Sequence, residues 1–197
     1  MTNQAANWLF PILLEGKHIR LEPLNPSLHA APMFEFFEPR VTDFLSRGGQ
    51  PIANATDLQK HLEAINQIPK RLNWAVRLLK TNAIAGRISY SEVNEANKWL
   101  EVGTMLMPAF WGSMANPEGK LLLLIRAFEV LGANRVQFKV DVRNERSQGS
   151  MAKLGAVREG VLRQSQIRAD GFVRDSVMYS ILKSEWGVVK QKLEARV

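Results

Sequence analysis

Pro108-Ala109-Phe110-Trp111-Gly112-Ser113-Met114-Ala115-Asn116-Pro117-Glu118, followed at once by the apolar run Leu121 to Ile125, decides the fold of this chain. The stretch reads as a strand end, a tight turn and the start of a buried helix. Asn116 has the side chain of an N-cap, Pro117 suits the first helical position, and Glu118 stands in the first turn, where the dipole favours an acid. Gly132 stands where a glycine stop is expected. A helix N-terminus entered from a glycine-containing turn presents unpaired backbone N–H groups to an anion such as a diphosphate. An ordinary strand-to-helix turn uses the same residue types, so the context has to come from the rest of the chain.

Upstream, Lys17 to Leu24 alternates polar His18, Arg20 and Glu22 with apolar Ile19 and Leu21, the period of a strand that Pro23 ends. Asn25-Pro26-Ser27 opens a first helix through about Phe37. Arg40 to Ala55 reads as irregular, with Gly48-Gly49-Gln50-Pro51 as its turn-rich centre. Thr56-Asp57 begins a second helix with Leu58, Leu62 and Ile65 on one face, stopped by Pro69. Trp74 to Leu79, Ala83 to Val93 and Lys98 to Met107 read as three strands, and their short connections make them antiparallel neighbours.

Downstream, Arg135 to Val142 is the cleanest strand. Val136, Phe138, Val140 and Val142 face one way, and Gln137, Lys139, Asp141 and Arg143 the other. Asn144 caps a short helix that Gly155 stops. Ala156 to Arg168 and Phe172 to Leu182 form a hairpin about Ala169-Asp170-Gly171, and Ser184 caps a terminal helix from Glu185 onward. The order β-α-α-β-β-β-α-β-α-β-β-α, without repeat or linker, predicts an α+β domain on a mixed, mostly antiparallel sheet.

The bulk properties narrow the classes. The 197 residues suffice for one domain with a sizeable core, and 46% hydrophobic with 23% charged residues is an ordinary globular balance. Cysteine is absent, which excludes disulfides, thiol nucleophiles and cysteine-ligated metal. No apolar run approaches the ~20 residues of a membrane span, and Met1 to Pro11 lacks the layout of a signal peptide. The expected location is the cytoplasm, with no membrane partner. Net charge is +7, from 26 basic and 19 acidic residues. The basic residues are spread thinly, closest together from Arg143 to Arg163, and no specific nucleic-acid motif accompanies them.

The element order, with a glycine turn and buried helix after the fourth strand and an Asn-capped helix after the fifth, resembles the GNAT N-acetyltransferase superfamily over about Leu14 to Leu193. Its closer likeness is to the RimJ/RimL branch, the N-terminal acetyltransferases of ribosomal proteins and their relatives. The residues that carry it are Leu14-Glu15-Gly16 with Ile19-Arg20-Leu21, Phe110-Trp111-Gly112, Asn144 with Ser147, and Lys153-Leu154-Gly155-Ala156. Glu159-Gly160, Arg163, Gly171, Arg174-Asp175, Tyr179 to Leu182 and Glu185-Trp186 complete the set.

The resemblance implies one GNAT-fold domain over 1–197, with 1–13 as an N-terminal extension, whose sheet splays between strands 4 and 5. It also implies acetyl-coenzyme A (acetyl-CoA) as cosubstrate, without metal, and an amine acceptor that is a protein N-terminus or a small molecule. The backbone of Met105, Leu106 and Met107 would pair with the pantetheine arm. The turn of Gly112, Ser113, Met114, Ala115 and Asn116 would hold the diphosphate, and Asn144 would bond the arm while capping its helix. Two departures stand out: Met114 replaces a second glycine of that turn, and Met151 replaces the tyrosine that acts as general acid in many members. Ser147 or water must then protonate the departing thiolate.

Glu101 is the first candidate for the base, with Asp175 and Glu92 as alternatives and Gln166 where some RimL-like enzymes have a glutamate. His18, His29 and His61 precede the cofactor region and read as surface or packing residues. Trp74, Trp99 and Trp186 read as core, and Trp111 as a residue of the cleft wall. The amine would attack the thioester carbonyl directly. Two rival readings share the fold, a small-molecule amine or antibiotic acetyltransferase and a non-catalytic CoA- or protein-binding module. Homodimerisation is left open by the sequence.

Overall fold

The computed structural model describes residues 7–45, 51–168 and 170–197. The expected glycine centre at Gly48-Gly49-Gln50 and the hairpin residue Ala169 lie outside them. Its strands are β1 (Leu14–Glu15), β2 (Ile19–Pro23), β3 (Leu72–Leu78), β4 (Ile84–Asn94), β5 (Trp99–Leu106), β6 (Arg135–Asp141), β7 (Val157–Ile167) and β8 (Val173–Leu182). Five helices join them: α1 (Pro26–Phe34), α2 (Ala55–Asn66), α3 (Ala115–Ile125), α4 (Glu145–Leu154) and α5 (Trp186–Glu194). Among the described residues the strands form one sheet in the order β1-β2-β3-β4-β5-β6-β8-β7. Every neighbouring pair is antiparallel except β5 and β6. The α+β domain expected from the residue pattern is therefore observed, with the two-residue β1 and a 3₁₀ turn at Pro39–Thr42 added to it.

The sheet separates two packed layers. On one face Trp74, Tyr90, Leu100, Leu124, Val136 and Ile181 join the buried side of α3 and Trp186 of α5 in the larger core. On the other, Ala75, Ile84, Met105 and Met107 pack against Met33 of α1 and Leu58, Leu62 and Ile65 of α2. The alternation of Ile88 and Tyr90 with Arg87 and Ser89 along β4 follows from the strand period: the first pair faces α3, the second the α1/α2 layer.

Three helix starts differ from expectation. Asn116 does not cap α3, which begins at Ala115; the Ala115 N–H reaches Ser113 Oγ at 3.3 Å, and the Asn116 amide donates to Ser150 Oγ at 3.0 Å instead. A proline is tolerated anywhere in a first turn, because those N–H groups have no intrahelical acceptor, so Pro117 fits two residues further in than expected. Asn54 rather than Thr56-Asp57 marks the start of α2, its Oδ1 accepting from Asp57 N at 2.9 Å. Ser184 makes no cap for α5; Glu185 holds that place and accepts from Leu182 N through its side chain at 2.8 Å. Asn25 and Asn144 cap α1 and α4 as expected. The helix after Ile125 continues as a π turn over Arg126–Val130 and stops at Gly132, whose φ of +68° suits glycine.

Glu118 is only 1% exposed and fixes α3 to the first hairpin. Its carboxylate accepts from the backbone N–H groups of Lys17, His18 and Ile19, at 2.5 to 3.3 Å. A Cβ at Gly16 would stand 2.3 Å from Glu118 Oε1, so only glycine leaves room for the carboxylate. Next along the helix, Arg126, also 1% exposed, donates to the carbonyls of Asn7, Trp8 and Phe10 and lies 5.7 Å from the Trp74 ring centroid. Glu118→Ala strands the hairpin donors and should cost about 3 kcal/mol, measured by urea unfolding. Gly16→Ala should be destabilising alone and much less so when Glu118 is already alanine, as contacting residues require.

Candidate active site

The site begins where two strands part. β5 and β6 pair only through Trp99–Arg135, Leu100–Val136 and Glu101–Gln137. Beyond these, β5 stays on β4 as far as Leu106, and β6 stays on β8 as far as Asp141. The gap between them forms a cleft of about 420 Å³, lined by residues of both sheet faces: Val102 and Thr104 alternate there with Glu101, Gly103 and Met105. The expected splay between the fourth and fifth strands of the sequence pattern is this gap.

Of the three residues expected along one wall, Met105 and Leu106 line the cleft and Met107 does not. The Met107 N–H is engaged with Ala85 O at 2.8 Å. Successive N–H groups of a strand point to opposite edges, so those of Leu106 and Thr104 face the gap. Trp111 closes the wall there, its indole Nε1 donating to Leu106 O at 2.7 Å. Its ring is flanked by Arg40 at 5.2 Å and Arg146 at 3.6 Å. Trp74 and Trp186 are core as expected, whereas Trp99 is only half-buried.

The turn into α3 keeps its backbone accessible. Gly112 has φ of +80° with nothing within 4 Å of a Cβ placed there, and it lines the cleft with Asn116. Ser113 is turned back onto Phe110 O at 2.7 Å, and Ala115 is buried. Met114 is 39% exposed and lies outside the cleft lining, so its side chain leaves the mouth of the turn open. Across the gap, Asn144, Ser147 and Met151 of α4 line the opposite wall, the Asn144 Oδ1 accepting from Ser147 N at 3.0 Å. The Asn144 side chain therefore caps α4 through its oxygen and retains its NH₂ donors.

Among the candidate bases, Glu101 stands at the last paired position before the strands part. It accepts from Ser91 Oγ at 2.9 Å and Gln137 Nε2 at 3.3 Å, with Lys139 Nζ at 3.7 Å. Glu92 and Gln166 also line the cleft, whereas Asp175 does not; its carboxylate accepts from Gln164 N at 2.6 Å. His29 is buried against Glu22, 3.0 Å away, on the far side of β3, and His18 lies beside the C-terminal residue. Both are the packing and surface residues expected of them.

Two buried cations of the cleft, Lys120 and Arg87, were absent from the sequence expectations. Lys120, 5% exposed on α3, reaches Ser150 Oγ at 3.2 Å beside Asn116. Burial pushes its ammonium down to about 7, and Arg196 and Arg146 add to the effect. Arg87, 6% exposed, lines the cleft from β4. The only sequence signal for Lys120 was a lysine inside an otherwise apolar helical face.

The comparisons with known proteins agree with this geometry. The acetyltransferase (GNAT) domain model matches residues 18–157, and the chain belongs to that family of acetyltransferase enzymes. A T. thermophilus protein assigned to the acetyltransferases is 51% identical, with a TM-score of 0.89 over 97% of this chain and 100% of the other. YoaA of Bacillus subtilis (strain 168), named an uncharacterized N-acetyltransferase, is 26% identical over 176 residues, 89% of this chain and 98% of its own. RimJ of Mycobacterium smegmatis, solved in complex with CoA-disulfide, shares the fold at 16% identity and a TM-score of 0.76, covering 95% of each chain. The likeness to the RimJ/RimL branch read from the residues is matched at the level of the fold.

Lys120 has a thermodynamic consequence of its own. Its folded pKa lies below the unfolded value of about 10.4, so the unfolded chain holds the extra proton between these values. The burial penalty is complete below about pH 7 and is relieved as pH rises toward 10. Lys120→Met should therefore raise the melting temperature of the ligand-free protein most at pH 6 and progressively less up to pH 10, as scanning calorimetry across that range would record.

Proposed function

We propose that this acetyltransferase takes acetyl-CoA as donor and a primary amine as acceptor, with a protein N-terminus as the leading acceptor class. The observation that carries the proposal is the gap between β5 and β6, with an open glycine turn at one end and a capped helix along the other wall. Acetyl-CoA supplies an activated acyl group and a thiolate leaving group. The residues of this chain do the rest.

The N–H groups around Gly112 to Asn116 hold the diphosphate at the start of α3, where the helix dipole favours an anion. Lys120 adds a positive charge within that corner, and an anion beside it restores the full charge that burial suppresses. The free edge of β5 and the Asn144 amide orient the pantetheine arm. The Leu106 and Thr104 N–H groups aim at the gap and polarise the carbonyl, in the manner of an oxyanion hole. Glu101 takes a proton from the acceptor ammonium, directly or through water. The amine nitrogen then bonds to the carbonyl carbon and the carbon–sulfur bond breaks; the nitrogen gives up its second proton, which reaches the thiolate through Ser147 or water, while Glu101 returns the first to solvent. Holding both reactants in one gap supplies most of the rate, an effect worth ~7–11 kcal/mol in intramolecular models.

The assignment is tested by coenzyme release from acetyl-CoA over peptides with free N-termini. Gly112→Asp places bulk and negative charge at the turn and should abolish the rise in melting temperature that acetyl-CoA produces. Ser147→Ala should lower kcat by up to ~10²–10³ with little change in the donor KM. Glu101→Gln should lose the acidic limb of the pH–rate profile and recover in part at high pH, where the acceptor amine is already neutral. An unaltered profile would return Glu101 to the role of a strand residue held by Lys139, and would leave Glu92 or water as the base.

A further inference from the structure

The cleft contains a buried cation that transfer to a simple amine does not use. Arg87 is 94% buried, the complement of its 6% exposure, yet its side chain lines the cleft. Its Nε has no hydrogen-bond partner, and among the described residues no carboxylate pairs with it. The segments outside the described residues, 1–6, 46–50 and 169, contain no Asp or Glu that could supply one.

The surroundings of Arg87 are cationic as well. Burial pushes the Arg87 guanidinium down to about 9, and Arg71, held by Asn73 Oδ1 at 2.8 Å and Ser89 Oγ at 3.0 Å, adds to the effect. His61 on α2 is lowered to about 4 by burial and by the charges of Arg87 and Arg71, and its Nε2 is likewise without a partner. An uncompensated buried guanidinium is costly, and an anionic group at that point offsets the cost.

The position separates this cation from the diphosphate corner. Arg87 pairs in register with Met105 and, like Ser89, faces the α1/α2 layer, whereas Lys120 lies on α3 on the opposite face, and the glycine turn leads into that helix. Glu101 and Met105 lie on the same side of β5, four residues apart, or about 13 Å along the strand. A molecule with its amine at Glu101 meets Arg87 at its other end.

We propose that the acceptor carries a carboxylate several bonds from its reactive amine, as the side chain of an acidic second residue at a peptide N-terminus does, and that Arg87 is the residue that selects it. The selection rests on the acetyltransferase reading above. The Arg87 guanidinium donates two parallel hydrogen bonds to the carboxylate, geometry that a lysine cannot reproduce, and Arg71 reinforces the field. A small amino acid, with amine and carboxylate on one carbon, is too short to reach both Glu101 and Arg87, whereas the side chain of an acidic second residue of a peptide spans the distance.

Two substrate pairs test this spacing: a C-terminally amidated peptide beginning Ala-Glu against one beginning Ala-Gln, and alanine against alaninamide as the short control. The wild-type enzyme should prefer the carboxylate member of the peptide pair by about tenfold or more in kcat/KM, the size of one charge-assisted hydrogen bond. Arg87→Met should bring that ratio toward one. Arg87→Lys, which keeps the charge and tests the case in which the methionine variant does not fold, should leave a reduced ratio. Equal turnover of both members of the peptide pair, or an unchanged ratio in the variants, overturns the selection and leaves the acetyltransferase assignment intact. No coenzyme release with any amine overturns that assignment instead. The seat is then judged by melting curves at saturating CoA, where the carboxylate member of the peptide pair should stabilise wild type but not Arg87→Met. No such difference would overturn it.

Discussion

Everything functional in this fold depends on β5 and β6 parting after three paired positions. A strand inside a sheet normally satisfies both edges, and unpaired N–H and C=O groups are otherwise confined to the rim. Here the interior of an eight-stranded sheet contains two facing edges with half of their backbone groups released. The opening costs hydrogen bonds, and a ligand that runs between the edges restores them. It also joins the two sides of the sheet, so that groups on the α3 face and groups on the α1/α2 face reach one cavity.

Keeping such a gap open requires rigid walls. One wall is anchored by Glu118, which takes up the N–H groups of the first hairpin and so fixes α3 against β2. The adjoining Arg126 gathers the carbonyls of the N-terminal segment beneath the Trp74 and Tyr90 rings. The other wall is α4, stopped by Gly155 in a left-handed conformation with φ of +84° and started by Asn144. The turn at Gly112 is thus carried by a helix whose first turns are held at the hairpin and at Ser150, rather than by a free loop.

The fold was legible because its elements are strongly patterned. The alternation of Val136, Phe138 and Val140, the Asn25 and Asn144 caps, and the glycine stops each followed a local rule. Asn116 misled because the run Asn-Pro-Glu satisfies the same local rule two residues too late, and a tertiary partner, Ser150, claimed its side chain. The buried cations of the cleft were not legible at all. A lysine or arginine within an amphipathic element is expected to face water, and only the packing of other elements turns Lys120 and Arg87 into buried groups. Glu101 was reached from its strand position, but its partners, Ser91 on β4 and Gln137 and Lys139 on β6, lie on other strands and carry no spacing signal toward it.

If the donor occupies the gap between β5 and β6, the released strand edges themselves must register it. Amide hydrogen exchange with and without acetyl-CoA reads those edges residue by residue. New protection is expected at Thr104 and Leu106 and in the turn from Gly112 to Asn116, with the already paired Met107 little changed. Protection confined to other surfaces, or no change along β5, would place the donor elsewhere and contradict this use of the gap.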